Sequence, residues 1–211
     1  MVAASGLAER LFSALRKIDA EATTARAGSP TGLNWYGAHV RPDEKRPKTE
    51  PHWSRRLAEL LRADGLEADC EVPYPPTSGA RTRCDLVVAL DGTKTWIEVK
   101  GGAGRSIGAG MEARICTART SLVPGLDPKT HTAALDLEKL GTLNAPVASQ
   151  VGLLLVGFDS QEAPMDGDVH ELVRLAELDV EPWTATLTGW PDAARPGQRV
   201  RCWFWLRPVR I

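Results

Sequence analysis

Four cysteines, Cys70, Cys84, Cys116 and Cys202, are all the chain has, and no two stand at CxxC spacing. That scarcity argues against a zinc knuckle and a disulfide framework, so a reducing cytoplasm is the expected setting. Long hydrophobic runs are missing as well: none approaches the roughly 20 residues that cross a bilayer. The N-terminal stretch MVAASGLAERLFSALRKIDA carries charges every few residues, where a signal peptide has an unbroken apolar segment. Neither a secreted protein nor a membrane partner is expected. Net charge is nearly absent, 26 Lys and Arg against 27 Asp and Glu for a formal -1. The molecule as a whole therefore offers no field for a polyanion, and any basic patch has to be local. What remains is 211 residues, 43% hydrophobic and 25% charged, enough chain of ordinary composition to bury a core.

Leu7, Leu11, Leu15 and Ile18 fall on one stripe at helical spacing, with Glu9, Arg10, Arg16 and Lys17 off it, which predicts an amphipathic N-terminal helix. Residues 26 to 49 hold Gly28, Pro30, Gly32, Gly37, Pro42 and Pro47 around the run RPDEKRPKTE, a composition that resists helix and strand. Residues 1–49 thus read as a helix plus linker or strap, preceding a domain of residues 50–211. PHWSRRLAELLRADG opens with Pro51 in a first turn and ends on Gly65, as a helix should. Three strand candidates follow, ADCEVPY (68–74), CDLVVAL (84–90) and KTWIEVK (94–100). THTAALDLEKLGTL predicts a second helix, and VGLLLVGF (151–158) is apolar enough for a buried central strand. A third helix is expected at 168–178, then two closing strands, WTATLTGW and RVRCWFWLRPV. The order is that of an α/β sandwich with a mixed sheet flanked by helices, carrying an N-terminal helical extension and a C-terminal β-hairpin addition.

The chemistry concentrates in CDLVVALDGTKTWIEVKGG. Asp91-Gly92 is a favoured pair for a two-residue hairpin turn of the primed type. With that turn, Leu90 pairs with Thr93 and Asp85 lies opposite Glu98. Alternation then gathers Arg83, Asp85 and Val87 with Trp96, Glu98 and Lys100 on one face, and Leu86, Val88, Ile97 and Val99 on the other. Like charges directly opposite in a sheet repel, so Asp85 and Glu98 call for a cation between them. Magnesium suits two carboxylates and leaves positions for water and a substrate phosphate. Lys100, on the same face, would reach toward that water or phosphate, the set that hydrolysis of a phosphodiester needs. Without a cation, removing either carboxylate is expected to relieve the repulsion and raise thermal stability.

Asp85 followed after a hairpin by Glu98-Val99-Lys100 resembles the PD-(D/E)xK nuclease superfamily, the restriction-endonuclease-like fold. The resemblance covers a core of about residues 50–158, helix, three-stranded meander, helix, strand. It implies a divalent-metal-dependent nuclease, DNA in preference to RNA, with Mg²⁺ or Mn²⁺ held by Asp85, Glu98 and the Val99 carbonyl, and Lys100 orienting the attacking water. Cys84 stands where the motif's proline would be, and the Gly-rich insertion after Lys100 is a further departure. Such proteins often add an acidic residue on the first helix. Glu50, within about 20° of the stripe of Trp53, Leu57 and Leu61, fits that role better than Glu59, or else it complements the helix dipole. The alternative is a catalytically silent member of the same fold that binds nucleic acid or a protein.

Secondary signals stay open in both directions. Arg105, Arg114 and Arg119, set among glycines after Lys100, suit phosphate contacts in a substrate-gating loop or belong to a plain surface insertion. Asp136 and Lys139 share a helix side, either as a solvated ion pair or as part of the site. In the last strand Arg201, Trp203, Trp205 and Arg207 alternate with apolar residues, a face that can stack bases unless a helix covers it. The stripe of the N-terminal helix is a possible docking face for a second copy or a protein partner.

Overall fold

The structure, a computed structural model, describes residues 2–28, 49–75, 83–103, 133–145, 147–160, 165–187 and 198–209. Its helices are α1 (Val2–Gly28), α2 (Thr49–Ala63), α3 (Ala133–Gly141) and α4 (Asp166–Leu175). Its strands are β1 (Glu67–Pro73), β2 (Arg83–Leu90), β3 (Thr93–Ala103), β4 (Gln150–Ser160), β5 (Trp183–Leu187) and β6 (Gln198–Pro208). They form one mixed sheet in the order β1-β2-β3-β4-β6-β5. Only β3 and β4 run parallel; the other neighbours are antiparallel. None of the described helices is long and apolar enough to cross a membrane.

Local signals set the ends of the elements. Helix α2 stops on Gly65, whose φ of 84° lets Leu66 N–H reach Leu61 O and Gly65 N–H reach Arg62 O, closing the last turn. Between β2 and β3, Asp91 and Gly92 both take positive φ, 50° and 75°, as a primed hairpin turn requires. The ladder follows the anticipated register from Leu90↔Thr93 to Leu86↔Ile97.

Helices cover both faces of the sheet. On one, α1 and α2 bury Leu7, Leu11, Leu15, Ile18, Leu57 and Leu61 against Leu86, Val88, Ile97, Val99 and Phe204. On the other, α3 and α4 bury Leu137, Leu140 and Leu172 against Val87, Trp96, Leu153, Leu155, Trp203 and Trp205. One sequence expectation changes. The apolar stripe of α1 is filled by the chain's own α2 and sheet, so it presents no docking face for a second copy. Arg10 to Asp64 and Arg56 to Glu21, both 2.6 Å, tie α1 further to α2 and its end. The closing strands β5 and β6 pair antiparallel as the expected hairpin, which joins the sheet through β6 beside β4. Residues of β6 enter both core layers, so both its faces are covered.

That placement decides the tryptophans. Trp203 and Trp205 are 3% and 1% exposed in the α3/α4 layer, and a buried indole has no face to give a base. Arg201 grips Asp166 with both terminal nitrogens, at 3.0 and 2.7 Å, and lies over the Trp203 ring, fastening α4 to β6. The nucleic-acid face expected at Arg201, Trp203 and Trp205 is thus packing. Trp205→Ala should cost about 3–5 kcal/mol, read by urea unfolding. An unchanged unfolding midpoint would restore the surface reading.

Candidate active site

Along β2 the alternation of faces breaks at Asp85. Leu86 and Val88 face α1 and α2, yet Cys84, two residues earlier, lies in the opposite layer with Trp96. The neighbouring strand turns with it. Glu71 takes a φ of 55°, the pairing skips from Cys70↔Leu86 to Val72↔Cys84, and the register resumes unchanged. A non-glycine residue at positive φ is strained, and such strain gathers at functional positions. Here the half-turn swings Val72, Tyr74 and Cys84 onto the face that carries Glu98.

The β2–β3 ladder also opens there, ending at Leu86↔Ile97. Asp85 does not pair through its backbone with Glu98; its Oδ2 accepts the Val99 N–H at 2.8 Å. Its side chain also lies against that of Glu98, a contact between two carboxyls that one proton would bridge. Tyr74 Oη donates to Glu98 Oε1 at 2.5 Å from the other side. Burial, then the charges of Asp85 and Asp136, holds the Glu98 carboxyl well above the usual range. Burial first, then the charges of Cys84 and Glu98, keeps the Tyr74 phenol protonated. Burial and Glu98 likewise push the Cys84 thiol up, and its Sγ is buried in the α3/α4 layer, donating to the Leu86 and Ile97 carbonyls.

Lys100 extends from β3 into the α3 layer. Its Nζ stands 2.8 Å from Asp136 Oδ2, both side chains buried, in an ionic contact that is not aligned as a hydrogen bond. Lys139, one turn along α3, donates to Asp136 Oδ1 at 2.5 Å and is partly exposed. Asp136 is only 2% exposed, so the solvated ion pair is excluded for this residue. Tyr74 carries no sequence signal for this role, since plain alternation from Cys70 puts it on the far face. Asp136 was visible as a pattern, but nothing in the sequence says it meets Lys100.

Asp85 and Glu98 thus meet through their side chains, and Lys100 lies two residues on along β3 with Asp136 as an ionic partner. Glu50 lies in the first turn of α2, but its side chain is outside the described residues, as are Arg105, Arg114 and Arg119. Among the described residues no group of three or more Asp, Glu, His or Cys side chains is disposed to hold a metal ion. The donor chemistry nevertheless fits a hard divalent ion held by two carboxylates, with the Val99 carbonyl as the neutral oxygen that the resemblance implies. Neither a protein-family model, nor a curated protein, nor a solved structure matches the chain.

Proposed function

We propose that this chain is a divalent-metal-dependent nuclease of the restriction-endonuclease-like fold, hydrolysing phosphodiester bonds of DNA in preference to RNA. The observation that carries the reading is the contact of Asp85 with Glu98 where the hairpin ladder opens, with Lys100 two residues further along the same strand. The order α2, β1-β2-β3, α3, β4, with β4 parallel to β3, supports the fold assignment.

With a proton on the Asp85–Glu98 pair, the local charges balance: one carboxylate there and Asp136 against Lys100 and Lys139. Asp85, Glu98 and the Val99 carbonyl would hold a Mg²⁺ or Mn²⁺ ion, which would supply charge against a phosphate and lower the pKa of the attacking water. Tyr74 fixes the rotation of Glu98. Lys100 holds the water or offsets charge that builds on the phosphate oxygens. The water oxygen bonds to phosphorus, the bond to the leaving oxygen breaks, and that oxygen takes up a proton.

Lys100→Ala should cut kcat by at least about a hundredfold, the scale for losing one electrostatic stabiliser, with metal affinity little changed. Lys100→Arg should rescue poorly, because a planar fork does not take the place of a point charge. An Ala variant that cleaves like the parent would remove Lys100 from the mechanism. The reading as a whole is tested by offering plasmid, linear duplex, single-stranded DNA and RNA with Mg²⁺ or Mn²⁺. Cleavage that chelator abolishes is expected. One observation favours the second reading, the silent binding module: Glu98 and Lys100 are only 4% and 6% exposed. Binding without metal-dependent cleavage of any of the four substrates would establish it instead.

A further inference from the structure

We propose that Asp136 is a positioning residue that holds Lys100 for catalysis, with Lys139 steadying it from the rim of the site. The inference rests on the nuclease reading and adds to it a residue from α3, an element outside the hairpin motif. A lysine ammonium sits on a flexible four-carbon stem and has no preferred direction of its own, whereas transition-state stabilisation demands a fixed place. Three features of the structure answer that demand. Asp136 Oδ2 lies 2.8 Å from Lys100 Nζ with both side chains buried, where an ionic contact is poorly screened. Its other oxygen is tied to Lys139, so the carboxylate cannot rotate away from Lys100 without giving up that hydrogen bond. Asp136 also stands on α3, and Ala133, Ala134, Leu137 and Leu140 seat this helix on the sheet. The lysine is thus referenced to rigid structure on both sides, by its own strand and by the helix. A buried ion pair is weak grounds for stability, since apolar residues of like volume often do as well. This arrangement is accounted for by the position it imposes on the ammonium.

The experiment compares Asp136→Asn, Asp136→Glu and Lys139→Gln with the parent, and repeats Asp136→Asn in a Lys100→Met background, under single-turnover conditions with a DNA substrate and Mn²⁺. Asp136→Asn should lower kcat about 10- to 100-fold, the scale of a misplaced catalytic group, with KM and Mn²⁺ affinity nearly unchanged. Lys139→Gln should have a smaller effect in the same direction. A residue that acts through Lys100 has nothing left to do once Lys100 is gone, so in the Lys100→Met background the Asp136 change should cost less than about twofold more. If Asp136→Asn does not fold, Asp136→Glu carries the test. It keeps the charge but displaces it by one methylene, and it should retain a cooperative melt while losing kcat. Parental kcat in the folded variants, or an equal loss with and without Lys100, overturns the inference and leaves the nuclease reading standing. A parent that cleaves no nucleic acid overturns both.

Discussion

Glu98→Gln should give a protein that folds normally, binds no divalent ion at the site and cleaves nothing. The variant keeps an oxygen to accept the Tyr74 hydroxyl, which reaches Glu98 Oε1 at 2.5 Å, and an amide NH₂ to donate to Asp85 in place of a bridging proton. It therefore copies the protonated side chain while removing its capacity to ionise. Alanine is a different change. Glu98→Ala leaves a buried phenol without its acceptor, and Asp85→Ala leaves the Val99 N–H, now given to Asp85 at 2.8 Å, without one. Each should cost about 1–3 kcal/mol, the penalty of an orphaned buried polar group. Relief of repulsion, which the bare sequence suggests would stabilise the Ala variants, works against that penalty and is reduced, because burial and the charges of Asp85 and Asp136 hold Glu98 toward its neutral form. The checks are calorimetric titration with Mn²⁺, thermal melting and cleavage of a DNA substrate. Retention of Mn²⁺ binding or turnover by Glu98→Gln would remove the carboxylate pair from the mechanism.

Much of this site was legible before any coordinates. The turn at Asp91-Gly92 needs two positive φ values, and that requirement sets the register by which Asp85 and Glu98 meet. The contrast of Leu86, Val88, Ile97 and Val99 with Val87 and Trp96 then assigns the faces. Periodicity has no purchase on what lies past the break at Glu71 and Asp85. One residue at φ 55° turns over the end of β1, and every side chain beyond it changes face, Tyr74 included. No composition rule marks Glu71 for that conformation. Trp203 and Trp205 misled for another reason. An Arg/Trp alternation looks the same on an open face as on a face under α3 and α4, and only the packing of those helices over β6 separates the two. Asp136 needed a tertiary fact as well, because the distance from α3 to the end of β3 is not encoded in either segment.

The apo protein should lose stability as pH rises, with the divalent ion reversing the trend. Glu98 is held protonated above the ordinary carboxylate value of 4.5, by burial and by the charges of Asp85 and Asp136. The unfolded chain releases that proton near 4.5 while the folded protein keeps it, so over the interval above 4.5 the native state binds one proton more. Unfolding free energy then falls with pH, by up to about 1.4 kcal/mol per unit for one proton. The contribution is complete below the unfolded value and is lost as pH climbs toward the raised native one. Tyr74 and Cys84 face the same carboxyl, are pushed upward and stay protonated across the interval. A divalent ion binds the ionised pair, so it competes with the proton and its affinity should grow with pH. Stabilisation by added Mg²⁺ or Mn²⁺ should accordingly be small near pH 5 and large near pH 8, since ligand binding stabilises in proportion to ln(1 + [L]/Kd). Urea unfolding at several pH values, with chelator and with Mn²⁺, reads both trends. The Glu98→Gln variant is the control that isolates the carboxyl from every other titrating group: it should lose this component of the chelator slope and the Mn²⁺ response together. A parent whose stability with chelator tracks that of Glu98→Gln across the range would show that Glu98 ionises normally, and a proton shared with Asp85 would have no place in the account of the site.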